Sequence, residues 1–421
     1  MRLRTLLALL AVVASAAFGL AACGGDDNAA GSPTTTETGM AGMSDDMDMA
    51  AASTTSPAAD LRVTLDTLLG EHALLAIAAT QKGLDGDEDF DAAAGALEAN
   101  SVELSEAIGS VYGDEAAKQF LDGPSLWRDH IGYFVDYTVG LATKDKAAQK
   151  KAVEDLTGYT GAFSGFLAEA TGLPQDVLQE SLTMHVMQLK GQLDAYAKQD
   201  YATAYNLTRE AYAHMYDEGD ALAGGIAEQS PDTFPLEPAT VAASDLRVTL
   251  DRLFGEHAIL AMLATQKGLS GDPDFEAIAG ALDANSVDIS EAIGSVYGDE
   301  AAKTFLDGPS LWRDHIGFFV DYTVALAKGD KAGQAEAVDN LTGYTGAFSG
   351  FLADATGLPQ AALQEGVTEH VMQLKGALDA YSTGDYDQAY TLFREAYKHM
   401  IETGDTLALA IAQQNPDMFA R

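Results

Sequence analysis

Leu61-Arg-Val-Thr-Leu-Asp-Thr-Leu-Leu-Gly-Glu71-His72-Ala-Leu-Leu75 returns as Leu246-Arg-Val-Thr-Leu-Asp-Arg-Leu-Phe-Gly-Glu256-His257-Ala-Ile-Leu260. The offset of 185 then holds without a gap from Leu61–Phe234 to Leu246–Phe419, with about three-quarters of positions identical. An internal repeat of this length sets the architecture before any local reading does. The chain therefore divides into repeat 1 (60–234), a Pro-containing linker (235–244) and repeat 2 (245–421), preceded by segments 1–22 and 23–59. Within the quoted stretch, Leu61, Leu65, Leu68 and Leu75 recur at helical spacing, as do Leu178, Leu182, Leu189 and Leu193 further on. Pro and Gly fall between such stretches, and β-branched alternation is scarce. The pattern predicts an all-α protein with about six helices per repeat, roughly 60–83, 88–111, 115–142, 145–170, 175–197 and 201–228. Short connections such as Lys198-Gln-Asp200 predict antiparallel hairpins, a bundle ferritin- or hemerythrin-like by architecture only.

Composition limits the chemistry. The chain has 421 residues, 47% of them hydrophobic, which suffices for sizeable cores. Its 64 acidic and 24 basic side chains give a formal charge of −40, which repels phosphate backbones and excludes nucleic acid as a partner. With a single cysteine there is no internal disulfide and no cysteine cage. The sequence has no Gly-x-Ser-x-Gly elbow, phosphate loop or His-Glu-x-x-His motif.

The first sixty residues read as an address and a tether. Arg2 and Arg4 precede an apolar run from Thr5 to Phe18, and Leu20-Ala21-Ala22-Cys23 follows. That ending resembles the lipobox of bacterial lipoproteins. The resemblance implies cleavage before Cys23, lipid on that residue, and an extracytoplasmic protein anchored to the cell membrane. Residues 24–59 are rich in Gly, Ser, Thr, Ala and Asp and predict a flexible tether. Within it stand Met40, Met43, Met47 and Met49, four thioethers among aspartates and so candidate copper contacts.

The eight histidines are four in each repeat: His72, His130, His185 and His214, then His257, His315, His370 and His399. His72 is in phase with the leucines of its helix. His130 follows Trp127 by one turn, and His185 lies between Leu182 and Leu189. Each of these three, and His214 on a fourth helix, is expected to point inward. Carboxylates accompany the histidines. Glu71 adjoins His72, Asp136 lies beyond His130, and Glu210 and Asp217 flank His214; Glu256, Asp321, Glu395 and Glu402 repeat the pattern. Inward carboxylates and imidazoles are expected to meet one another or a metal, because an unpaired buried charge is very costly. His with carboxylate suits copper, iron or manganese, and nearby thioethers tilt the choice to copper. The competing expectation is four separate structural histidines in a tandem helical spacer that binds an envelope protein. A third is a haem or dinuclear oxidoreductase, although the paired Glu-x-x-His motifs of di-iron bundles are missing.

The segments Gly70-Glu71-His72, Asn100-Ser101, Val111-Tyr112-Gly113, Trp127-Arg-Asp-His130, Asp136-Tyr137, Gly172-Leu-Pro174 and Glu210-Ala-Tyr-Ala-His214 resemble an uncharacterised family of secreted bacterial helical domains. Its members are often labelled by association with the copper amine oxidase N-terminal domain. The resemblance spans both repeats and implies an extracytoplasmic helical protein connected with copper. It does not imply the oxidase reaction, since neither Tyr112 nor Tyr159 has the Asn-Tyr-Asp/Glu setting of a quinone cofactor. Sequence alone thus predicts a lipid-anchored metal-binding protein, with a metal-delivery or envelope partner, rather than an enzyme.

Overall fold

A computed structural model describes residues 54, 56–235 and 242–419. Cys23 and Met40 to Met49 lie outside these residues. Among the described residues the regular structure is entirely helical. Repeat 1 contains α1 (Pro57–Asp85), α2 (Phe90–Tyr112), α3 (Asp114–Asp122), α4 (Trp127–Ala142), α5 (Lys146–Thr171), α6 (Gln175–Ala197) and α7 (Tyr201–Gln229). Repeat 2 contains α8 (Ala242–Ser270), α9 (Phe275–Tyr297), α10 (Asp299–Asp307), α11 (Trp312–Lys328), α12 (Lys331–Thr356), α13 (Gln360–Ser382) and α14 (Tyr386–Gln414), followed by a last turn, α15 (Pro416–Phe419).

Each repeat has seven principal helices rather than the expected six. The single helix expected over 115–142 is two, because Gly123-Pro124 removes a backbone donor and Ser125 takes a positive φ of 57°. The backbone N–H of Ser125 then donates to Asp129 (2.6 Å), which fixes the entry to α4. α1 starts earlier than expected, where Ser56 accepts from Ala59 and Pro57 occupies the first turn.

α1 is the axis of repeat 1. It packs on α2, α4, α6 and α7, and also on α8 of the other repeat. It is the one described helix long and apolar enough by composition to cross a membrane, and 78% of its most apolar window is buried inside the protein. Leu65, Leu69, Ala73 and Ile77 join the core of repeat 1, while Val63, Leu74, Ala78 and Ala79 join a core shared with repeat 2. α8 is its counterpart.

The two repeats meet about a pseudo-twofold axis. The hydroxyls of Tyr212 and its own counterpart Tyr397 stand 3.4 Å apart, a self-contact that marks the axis. Around it the contacts are reciprocal. Arg394 makes a bidentate pair with buried Glu71 (2.8 and 2.9 Å) and also reaches Glu103 (2.9 Å). Arg209 does the same to Glu256 (2.8 and 3.0 Å) and Asp288 (2.6 Å). Lys82 reaches Tyr381, and Lys267 reaches Tyr196. Each repeat thus neutralises a carboxylate buried in the other.

Nearer the start of α1, Asp66 and Asp251 are essentially unexposed, and their oxygens accept no hydrogen bond. A β-carbon at Gly219 or Gly404 would collide with them, so these glycines let α7 and α14 cross close to α1 and α8. Burial, then the neighbouring Asp220 or Asp405, holds both carboxyls well above the usual value; Arg62 and Arg247 act in the opposite direction.

Replacing Arg394 by Ala is expected to cost about 3–5 kcal/mol, because Glu71 is left buried without its counter-ion. Adding Glu71→Gln in the same chain should recover most of that loss in a calorimetric melt. The buried acids give a second expectation. Asp66 and Asp251 keep their protons when folded and lose them when unfolded, so their contribution is complete below pH 3.8 and is lost as pH rises through the raised folded value. Asp66→Asn with Asp251→Asn should therefore flatten the decline of stability from pH 5 to pH 9 and raise the urea midpoint at the alkaline end.

Candidate functional site

Three of the four predicted histidines of each repeat come together. His72 on α1, His130 on α4 and His185 on α6 are all buried, on three different helices. Nε2 of His72 and Nε2 of His130 lie 3.3 Å apart, within hydrogen-bond distance when one ring carries its proton there, with ring centroids 5.3 Å apart. The His185 ring lies 6.2 Å from that of His72. Repeat 2 reproduces the arrangement. His257 and His315 face at 3.4 Å with centroids 5.4 Å apart, and His370 lies 6.1 Å from His257.

Aromatic rings fix these imidazoles. Tyr159 stacks on His130 at 4.7 Å, and Trp127 sits 4.5 Å from His72 and 4.9 Å from His130. Trp127 is itself held by a 3.0 Å hydrogen bond from its indole N–H to Ser101. The Asn100-Ser101 pair thus has two tasks. Ser101 positions Trp127, and Asn100 donates to Glu71 (2.8 Å).

Few hydrogen bonds satisfy the rings. Nδ1 of His72, His185, His257 and His370, and Nε2 of His370, are buried without a partner, while the rings of His130 and His315 interact with backbone carbonyls of the preceding turn at Trp127 and Trp312. Buried polar atoms are nearly always bonded, so a cluster of orphaned nitrogens needs an explanation. Burial keeps all six rings neutral. It lowers His130 and His315 to about 4 and His185 and His370 to about 3, with neighbouring imidazoles adding to the shift in the latter two. His72 and His257 are pushed well below the usual value by the same burial and by the other two rings.

Of the predicted carboxylates, Glu402 lines a cavity that reaches His315 and His370, and the others stand away from this centre. Glu71 and Glu256 turn to the seam and to Arg394 and Arg209. Adjacent residues on a helix point about 100° apart, so Glu71 cannot share the direction of His72. Asp136, Asp321, Glu210, Glu395, Asp217 and Glu402 are exposed. On α7 the inward register runs through Ala211, Met215 and Glu218, which leaves Glu210 and Asp217 on the solvent side.

His214 is half-buried and stands apart. Its Nε2 lies 3.1 Å from the carbonyl of Ser181 and 3.3 Å from the Ser181 hydroxyl, which also donates to buried Glu218. In repeat 2, His399 lies 2.9 Å from the carbonyl of Gly366. Glu218 was missed in the sequence because it has no counterpart acid: position 403 is Thr. Met215 and Met400 are buried, whereas Met184, Met187 and Met372 are exposed.

Two cavities adjoin the centre of repeat 2. One of about 550 Å³ has His257 and His315 in its wall among Ala264, Leu282, Phe319 and Leu378. The other, about 340 Å³, reaches His315 from another side and includes His370, His399 and Met400. Among the described residues, no group of three or more His, Cys, Asp or Glu side chains stands in an arrangement ready to hold a metal ion. The converging unit is a pair of imidazoles, with a third ring nearby. Comparisons of the chain with protein-family models, curated proteins and solved structures find no match.

The neutral buried rings imply acid sensitivity. In the unfolded chain these imidazoles protonate near pH 6.5, while in the folded chain they resist to about pH 4 or below. Their contribution is therefore complete above pH 6.5 and is lost as pH falls toward 4 and 3. In chelator-treated protein the urea midpoint should drop steadily from pH 7 to pH 4. His185→Leu with His370→Leu should make that drop shallower.

Proposed function

We propose that each repeat binds one transition-metal ion in its interior, between His72 and His130 in repeat 1 and between His257 and His315 in repeat 2, and that the ion is copper(I). The observation that carries this reading is the repeated facing of two buried, neutral Nε2 atoms at 3.3 and 3.4 Å. Two ligands about 2.0–2.1 Å from one tetrahedral ion stand about 3.3–3.4 Å from each other, so this spacing suits an ion that takes further ligands besides the two imidazoles. The ring centroids of two such imidazoles fall about 5.2 Å apart, close to the 5.3 and 5.4 Å found.

The donor set argues for the charge of the ion. The converging ligands are neutral, and the nearest carboxylates, Glu71 and Glu256, are already paired with arginines. The cost of burying a charge grows as its square, so a monovalent ion suits this site better than a divalent one. Imidazole with thioether is a soft set, and Met400 lines the same cavity as His315 and His370. The lipobox-like Leu20-Ala-Ala-Cys23 and the methionines at 40, 43, 47 and 49 support a lipid-anchored, extracytoplasmic copper carrier, with an envelope protein as its exchange partner.

The competing reading is a tandem spacer with structural histidines. It is favoured by the convergence of two imidazoles per repeat rather than three. An anaerobic copper(I) titration of the full chain, with the four tether methionines changed to Leu, separates the two. Two ions per chain are expected, with nitrogen scattering in the X-ray absorption spectrum. His130→Ala with His315→Ala should reduce the ratio to near zero, whereas His214→Ala with His399→Ala should leave it unchanged. A ratio near zero in the parent chain, with the fold intact, overturns the metal reading.

A further inference from the structure

The two repeats differ at about a quarter of their aligned positions, and several of those differences line one cavity beside the histidine centre: Val177 and Leu182 become Ala362 and Val367, and Ser181 and Glu218 become Gly366 and Thr403. In repeat 1, Ser181 and Glu218 are hydrogen-bonded to each other across the gap between α6 and α7, and the Ser181 hydroxyl lies 3.3 Å from His214. Glu218 is buried there. The corresponding residues of repeat 2 are Gly366 and Thr403. Neither spans the gap with a side chain: Gly366 has none, its carbonyl lying 2.9 Å from His399, and the Thr403 hydroxyl turns back to the carbonyl of His399 (2.9 Å). Both residues line the cavity of about 340 Å³ that runs from this gap to His315 and His370. His370 is 6% exposed against 4% for His185, so the contrast lies in the cavity and not in the ring itself, and both ring nitrogens of His370 are buried without a partner.

We propose that this cavity is an entry path for small ligands to the histidine centre of repeat 2, and that the Ser181–Glu218 bond closes the equivalent path in repeat 1. The inference rests on the metal reading for its biological use, since it makes one copper site exchangeable and the other retentive. The geometry of access does not depend on metal. The walls are mostly apolar and aromatic, among them Phe348, Leu363 and Met400, with Glu402 and His399 beside them; they admit a small neutral molecule or a cation, and the imidazoles of His370 and His315 receive it. Position 366 has room for a plug, because a β-carbon there meets its nearest atoms, those of the His399 ring, at 3.9 Å.

The test has two readouts on the full chain. Diethyl pyrocarbonate acylates neutral imidazoles within reach, and mass mapping of the metal-free protein gives the rate at each histidine. His370 should react roughly tenfold faster than His185 if access, rather than global opening, sets the rate. Gly366→Ser with Thr403→Glu should slow His370 to the His185 rate, and Ser181→Gly with Glu218→Thr should accelerate His185. Equal rates at His185 and His370 in the parent chain, or rates unmoved by either double substitution, overturn the proposal. The second readout is release of copper(I) to bathocuproine disulfonate, expected as one fast and one slow equivalent. A single phase from a chain that carries two ions also overturns it. A chain that takes up no copper yet keeps the labelling contrast overturns the metal reading alone and leaves the entry path standing.

Discussion

The Glu71-His72 dipeptide, with its counterpart Glu256-His257, is the constraint from which the rest of the molecule follows. Two polar side chains side by side on a helix buried all round cannot both be satisfied by the same neighbours. The helical rotation sends them different ways. Glu71 leaves its own bundle and meets Arg394 of the other repeat, while His72 turns inward to His130 and Trp127. One direction builds the seam and the other builds the histidine centre. Neither repeat alone contains the counter-charge for its own buried glutamate, so the two halves form one unit in charge as well as in packing.

Much of this was legible in the sequence. The 185-residue repeat, the helical class and the inward direction of His72, His130 and His185 all follow from periodicity, because leucine spacing reports helix phase directly. The carboxylates were not legible in the same way. Acidic residues near a histidine in sequence share its face only at the right spacing. Glu210 and Asp217 sit just off the inward register of α7, while Glu218 sits on it. The pairing of Glu71 with a residue more than three hundred positions away has no local signature at all. The break at Gly123-Pro124 was visible as letters, but its effect on the third helix needed the backbone.

Duplication gives each position a twin, and the twins diverge where the geometry permits. At the seam several are kept: Arg209 and Arg394, Glu71 and Glu256, and Tyr212 and Tyr397 each answer to the other half of the molecule, although the twin of Glu103 is Asp288 and that of Tyr216, bonded to Tyr212, is Ile401. The gap between α6 and α7, and between α13 and α14, answers only to its own repeat. There Ser181 with Glu218 and Gly366 with Thr403 have become different pairs around the same histidine arrangement.

The seam is made of arginine–carboxylate pairs and tyrosine hydroxyls as well as apolar contacts. For two separate proteins, an interface with so much polar surface to desolvate would be a weak one, sensitive to dilution. Residues 230–241 change the problem by joining the end of α7 to the start of α8. A short linker holds the second repeat at an effective concentration on the order of millimolar, independent of how much protein is present. Even a modest intrinsic affinity then keeps the halves engaged almost all the time. Dilution of the protein, however far, leaves the pairing intact.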